Sequence, residues 1–146
     1  MSFQFPVRVY WEDTDAGGIV FYANYLKFFE RARTEWLRHL GLQQHALKQE
    51  TGGMFVVIDT QLKYHRPAQL DDMLQVSAVM QEKGRASLVV AQQAWRLEND
   101  GNRTLLCEGS IRIGWVNAEK MKPERIPPQL LELFTRTRIY QLFNCF

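Results

Sequence analysis

Sulfur chemistry, strong net charge and long apolar runs are all scarce in this sequence, and each absence narrows the function. The two cysteines, Cys107 inside a strand-like run and Cys145 one residue from the end, supply neither a disulfide framework nor metal-ligand spacing. The three histidines, His39, His45 and His65, also lack a partner at metal-binding spacing, so no metal site is expected. Eighteen basic against sixteen acidic side chains leave a formal charge of +2, not gathered into a run, which argues against a nucleic-acid partner. No apolar stretch is long enough to span a bilayer, and the opening MSFQFPVRVYW does not have the pattern of a secretory signal, so a cytoplasmic location is expected. Repeats, low-complexity tracts and linkers are missing as well. At 146 residues, with 46% hydrophobic and 23% charged residues, the chain has the size for one buried core and not for two. A single domain over residues 1–146 is expected, with 128–146 as a terminal segment of unassigned structure.

What is present is a sequence of clear periodicities. FQFPVRVYW alternates and is rich in β-branched and aromatic residues, as a strand is, with Pro6 near its start. After Gly17 and Gly18 the period becomes helical: Tyr25, Phe28, Phe29, Ala32, Trp36 and Leu40 share one face. Asn24 is placed to cap this helix, and Gly41 to stop it in a left-handed conformation. LQQHALKQE suits a further short helix. From Met54 the period is two, with Met54, Val56, Ile58, Leu62 and Tyr64 on one face. Strand-like runs follow over Met73 to Glu82, Ala86 to Leu97 and Arg103 to Asn117, the last two joined by an Asp100-Gly101 hairpin signal. Gln129 to Phe134 suits a terminal helical turn. One strand, a long helix, then four strands linked by short turns predict an α+β fold: one helix against an antiparallel sheet.

YWEDTDAGGIVFYANY, Tyr10 to Tyr25, carries the chemistry. It sets Glu12, Asp13 and Asp15 between a strand and the start of a helix, whose unpaired N–H groups and partial positive charge suit a developing oxyanion. A glycine pair lets a ligand approach the backbone closely. A carboxylate beside such donors suits acyl transfer: the donors polarise a carbonyl, and the acid attacks it or activates a water. The plainer account is that these acids cap turns and complement the helix dipole. A third account, an Asp-x-Asp phosphotransferase with Asp13 as nucleophile, requires the strand ends of a parallel α/β sheet, which this element order does not offer.

VYWEDTDAGGIVFYANYLKFFERARTEWL resembles the start of the hotdog-fold acyl-CoA thioesterases, of the 4-hydroxybenzoyl-CoA thioesterase type and closest to the Tol-Pal-associated branch. The likeness continues through RPAQLDDML and KMKPERIPP and covers all but about the last dozen residues. It implies a sheet wrapped around one long helix, homodimers that often pair into tetramers, and active sites at the dimer interface. It implies Asp15 as nucleophile or general base and the Tyr22 backbone N–H as the donor to the thioester carbonyl, with Gly17 and Ile19 shaping the approach. Asp13 becomes a structural turn residue. Lys83, Arg85, Lys120 and Lys122 match positions that contact coenzyme A phosphates, and Tyr25 together with Phe21 is placed to line the acyl pocket. Coenzyme A is part of the substrate, so no cofactor is implied. Tyr22 stands where many members of the branch carry histidine; the backbone donor survives that change, and a histidine side-chain role does not. The alternative is a non-catalytic acyl-binding or scaffold protein of the same fold that contacts acyl carrier protein or lipid-synthesis enzymes.

Overall fold

The period-two runs form strands and the helical run forms a helix, in the expected order. The computed structural model describes residues 2–135. It contains β1 (Phe3–Arg8), α1 (Tyr25–His39), α2 (Gln44–Thr51), β2 (Gly53–Tyr64), β3 (Met73–Lys83), β4 (Ser87–Leu97) and β5 (Arg103–Asn117), with 3-10 turns at Trp11–Asp13 and Tyr22–Asn24. Residues 128–135 are helical, which agrees with the terminal turn read from the sequence. The apolar tail beyond them, with Cys145, lies outside the described residues.

The strands form one antiparallel sheet in the order β1-β3-β4-β5-β2. No helix among the described residues is long and apolar enough to cross a membrane. α1 lies on one face of the sheet. Its Phe28, Phe29, Ala32 and Trp36 are buried, as the helical spacing requires, against Leu74 and Val76 of β3, Leu88 and Val90 of β4, and Ile111 and Trp115 of β5. Each large apolar side chain withdrawn from water contributes about 1.5–3 kcal/mol, so this layer is the main source of the fold's stability. Phe134 closes the end of the layer, stacked on Trp36 at 5.5 Å. Gly41, at φ +89°, stops α1 as expected: its N–H donates to Arg38, and the Leu42 N–H donates to Leu37.

Two expectations need correction. Asn24 does not cap α1, because its amide turns away to Asp13 and the chain enters the helix through the 3-10 turn Tyr22–Asn24. The apolar face of β2 also changes partway along. A bulge between Val57 and Asp59 inserts one residue, and a one-residue slip exchanges the faces of a strand. Phe55, not Met54 or Val56, therefore packs on Trp115 at 4.9 Å, while Leu62 beyond the bulge again meets the core. Ile58 at the bulge is 59% exposed.

The helix carries one buried charge that its periodicity did not announce. Arg33 is 9% exposed and donates to Gln92 Oε1 at 2.9 Å, while the Gln92 amide donates to the carbonyls of Phe29 and Ser77. Burial lowers the Arg33 pKa from its usual value, with Glu30 opposing that shift.

Candidate active site

After β1 the chain doubles back on itself. The Phe21 N–H donates to the Asp13 carbonyl and the Asp15 N–H to the Ile19 carbonyl, so residues 13–15 and 19–21 run antiparallel with a tight turn between them. Gly18 sits in that turn at φ +80°, a region that strains residues bearing a Cβ. The second limb is fastened to the loop between β2 and β3 by Val20 N–H to Ala68 O and by a bridge between Ile19 and Gln69.

The two aspartates of this hairpin have different environments. Asp13 is buried, and both carboxylate oxygens are engaged: Oδ2 accepts from the Tyr10 N–H at 2.8 Å and Oδ1 from the Asn24 amide at 2.9 Å. That leaves it no free oxygen for nucleophilic attack. Asp15 is exposed, and among the described residues its carboxylate accepts just one hydrogen bond, from the nearby Gly17 N–H to Oδ1 at 2.8 Å. A Cβ at position 17 would lie 3.2 Å from that oxygen, so glycine keeps this side of the carboxylate open. Asp15 lines an open pocket of about 340 Å³ with Trp11, Thr14, Ala16, Gly18 and Leu70.

Tyr22 begins the helical turn. The Phe21 carbonyl accepts the Asn24 N–H at 2.8 Å. In a trans peptide the N–H points opposite to the C=O, so the Tyr22 N–H of that same peptide points back out of the helix start. It has no acceptor among the described residues. A free donor at the positive end of a helix suits a carbonyl oxygen or an oxyanion. Tyr25, by contrast, is 2% exposed and offers a ligand almost no surface within the protomer; its hydroxyl accepts the Ala68 N–H at 3.2 Å, and burial pushes its pKa up to about 12. Phe21 and Ile19 are partly exposed beside the hairpin.

The basic candidates gather at the opposite end of the sheet. Lys83 and Arg85 flank the turn between β3 and β4, and the Arg85 carbonyl accepts the Ile126 N–H at 2.8 Å. The Lys122 carbonyl accepts the Asn117 N–H at the end of β5, and the Asn117 side chain accepts the Lys120 N–H. All four side chains are exposed, and the Lys83 ammonium reaches the Thr135 hydroxyl. This cluster borders Gly53 at the start of β2, whereas the Asp15 hairpin borders the segment just after Tyr64 at its end. A twelve-residue strand spans on the order of 35 Å, so one protomer does not bring the carboxylate and the basic loops together.

A sequence profile described as the thioesterase superfamily matches residues 17–101. The chain belongs to this family. An acyl-CoA thioester hydrolase YbgC of Escherichia coli O6:H1 is 44% identical over 132 residues, covering 90% of this chain and 95% of that protein. The acyl-CoA thioesterase YbgC of Haemophilus influenzae is 42% identical over 133 residues, covering 91% and 94%. A probable thioesterase from Bartonella henselae is similar in structure with a TM-score of 0.79 and 32% identity, covering 87% of this chain and 100% of that one. The 4-hydroxybenzoyl-CoA thioesterase from Pseudomonas sp. strain CBS-3 shares the fold alone, with a TM-score of 0.83 at 22% identity over 90% and 98% of the two chains. The thioesterase is thus a hotdog-fold protein, as the resemblance implied. Sequence reasoning had singled out Asp15 and Tyr22 but not Tyr64, whose hydroxyl donates to the Tyr22 carbonyl at 2.9 Å across 42 positions. No local pattern signals a contact of that span.

Proposed function

We propose that this thioesterase hydrolyses an acyl-CoA to the free acid and coenzyme A, with Asp15 and the Tyr22 N–H as its reacting and polarising groups. The observation that carries the reading is the pairing of a free helix-start N–H with an open carboxylate on the two limbs of one short hairpin. The substrate's thioester oxygen lies at the Tyr22 N–H, which stabilises the negative charge that develops as the carbonyl becomes tetrahedral. Asp15 acts in one of two ways. As nucleophile its oxygen bonds to the acyl carbon, the C–S bond breaks, and water then cleaves the resulting anhydride. As general base it takes a proton from water as the water oxygen bonds to the acyl carbon, and that proton passes to the departing thiolate. Names of close relatives as acyl-CoA thioesterases support the substrate class.

The working unit is a dimer. Among the described residues β2 pairs with β5 alone, which leaves its outer edge unpaired there, and Val57 and Ile58 beside it are more than half exposed. Antiparallel pairing of two β2 edges about a two-fold axis sets the end of one β2 beside the start of the other. The Asp15 hairpin of one protomer then neighbours the basic loops of its partner, where Lys83, Arg85, Lys120 and Lys122 meet the phosphates of coenzyme A.

Thiol release from short aliphatic, long aliphatic and aryl acyl-CoAs tests the proposal. Wild-type turnover of at least one, with Asp15→Asn nearly inactive, is the expected result. No turnover of any, or equal rates for Asp15→Asn, refutes it and leaves a non-catalytic acyl-binding protein.

A further inference from the structure

The first turn of the helix has no side-chain cap. Phe21 cannot provide one, and Asn24 directs its amide to Asp13. Backbone contacts hold its first two peptides, through Phe21 N–H to Asp13 O and Asn24 N–H to Phe21 O. The next peptide, between Tyr22 and Ala23, is gripped from across the molecule: Tyr64, the last residue of β2, donates its hydroxyl to the Tyr22 carbonyl at 2.9 Å. The Tyr64 ring stands edge-on to Tyr22 at 6.3 Å and to Tyr25 at 5.7 Å. Tyr25 is anchored in turn through its hydroxyl to the Ala68 N–H. The three rings link the helix start to the end of the edge strand.

We propose that Tyr64 is a positioning residue for thioester hydrolysis, holding the first helical turn so that the Tyr22 N–H stays aimed at the substrate carbonyl. The inference rests on the reading of that N–H as the polarising donor. The physical reason is that a donor stabilises an oxyanion only at close range and good alignment, and an uncapped helix start frays. A carbonyl can only accept, so the tether requires the protonated phenol. Partial burial, with Cys107 and Tyr22 nearby, raises the Tyr64 pKa and keeps it protonated.

Tyr64→Phe removes the hydroxyl and keeps the ring contacts. Its kcat is expected to fall about ten-fold with KM held within about two-fold, because the lost interaction matters most when charge develops on the carbonyl oxygen. A spectroscopic readout accompanies the kinetics. Acyl-CoA labelled with carbon-13 at the carbonyl, bound to Asp15→Asn, should show a thioester stretch lowered from its solution frequency, and that lowering should shrink in Asp15→Asn/Tyr64→Phe. Unchanged kcat in Tyr64→Phe, a loss confined to KM, or an unchanged stretch overturns the proposal. So does a Tyr64→Phe protein that fails to fold, since the hydroxyl is then a structural tether. If Asp15→Asn is as active as wild type, the proposed function fails; if Asp15→Asn is inactive while Tyr64→Phe is unaltered, only the role of Tyr64 fails.

Discussion

Asp13 and Asp15, two positions apart, should have opposite mutational phenotypes. The buried Asp13 carboxylate accepts from the Tyr10 N–H and the Asn24 amide, and a hydrogen bond to a charged group contributes about 1.5–3 kcal/mol. Asp13→Ala leaves both donors unmatched and should cost about 3–5 kcal/mol, a large part of the 5–15 kcal/mol that stabilises an ordinary domain. Asp13→Asn offers one oxygen but turns an N–H toward one of the two donors, so about half that loss is expected. Asp15→Asn keeps an oxygen for the Gly17 N–H at an exposed site. Its unfolding midpoint should stay near that of the wild type while thioester hydrolysis falls by a factor on the order of 10³. Urea unfolding, paired with thiol release from the best acyl-CoA, measures both effects. An Asp13→Asn protein with wild-type stability and no activity would refute the reasoning and return Asp13 to the role of nucleophile. An Asp15→Asn protein destabilised as strongly as Asp13→Ala would show that both acids serve only the fold.

Three further outcomes are expected. Gln92→Leu leaves the buried Arg33 guanidinium without its acceptor and removes the amide that donates to the Phe29 and Ser77 carbonyls; thermal or urea melts should show a loss of about 2–4 kcal/mol, partly regained in Arg33→Met/Gln92→Leu. Mixed dimers of Asp15→Asn and Arg85→Ala chains should recover activity that neither homodimer has, because one of the two composite sites then holds neither substitution; no recovery on mixing would refute the shared site. Stability should fall from about pH 8.5 upward, where an unfolded cysteine begins to ionise. Burial pushes the Cys107 thiol up to about 12 in the folded protein. The unfolded chain then binds fewer protons than the folded one, which makes the slope of stability against pH negative up to about that value. Melting temperatures between pH 8 and 11 for wild type and Cys107→Val check the sign, the variant being expected to fall less.

Local patterns in the sequence were enough to place α1 and all five strands, because an apolar face with a fixed period has a single way to leave water. Gly41 was legible as the helix stop for a similar reason: a left-handed residue is a local requirement. The β2 face differs from the period-two expectation over Met54 to Ile58, up to the bulge, since that bulge depends on the register against β5 and not on any property of the run itself. Asn24 was misread because a nearby buried carboxylate, Asp13, competes for its amide more strongly than a helix N–H does.

The same division holds for the site. By itself the sequence determined the element order, the apolar layers, and the concentration of acid and glycine at a strand-to-helix junction, all consequences of neighbours along the chain. The tertiary structure alone decided that Asp13 is buried and bonded through both oxygens while Asp15 is open, that the Tyr22 N–H meets no acceptor among the described residues, that Tyr64 grips its carbonyl, and that the basic loops lie at the far end of the sheet. These depend on strand pairing and on contacts between residues apart in the chain, where one inserted residue reverses a face and buried donors satisfy one of two like side chains while the other meets solvent.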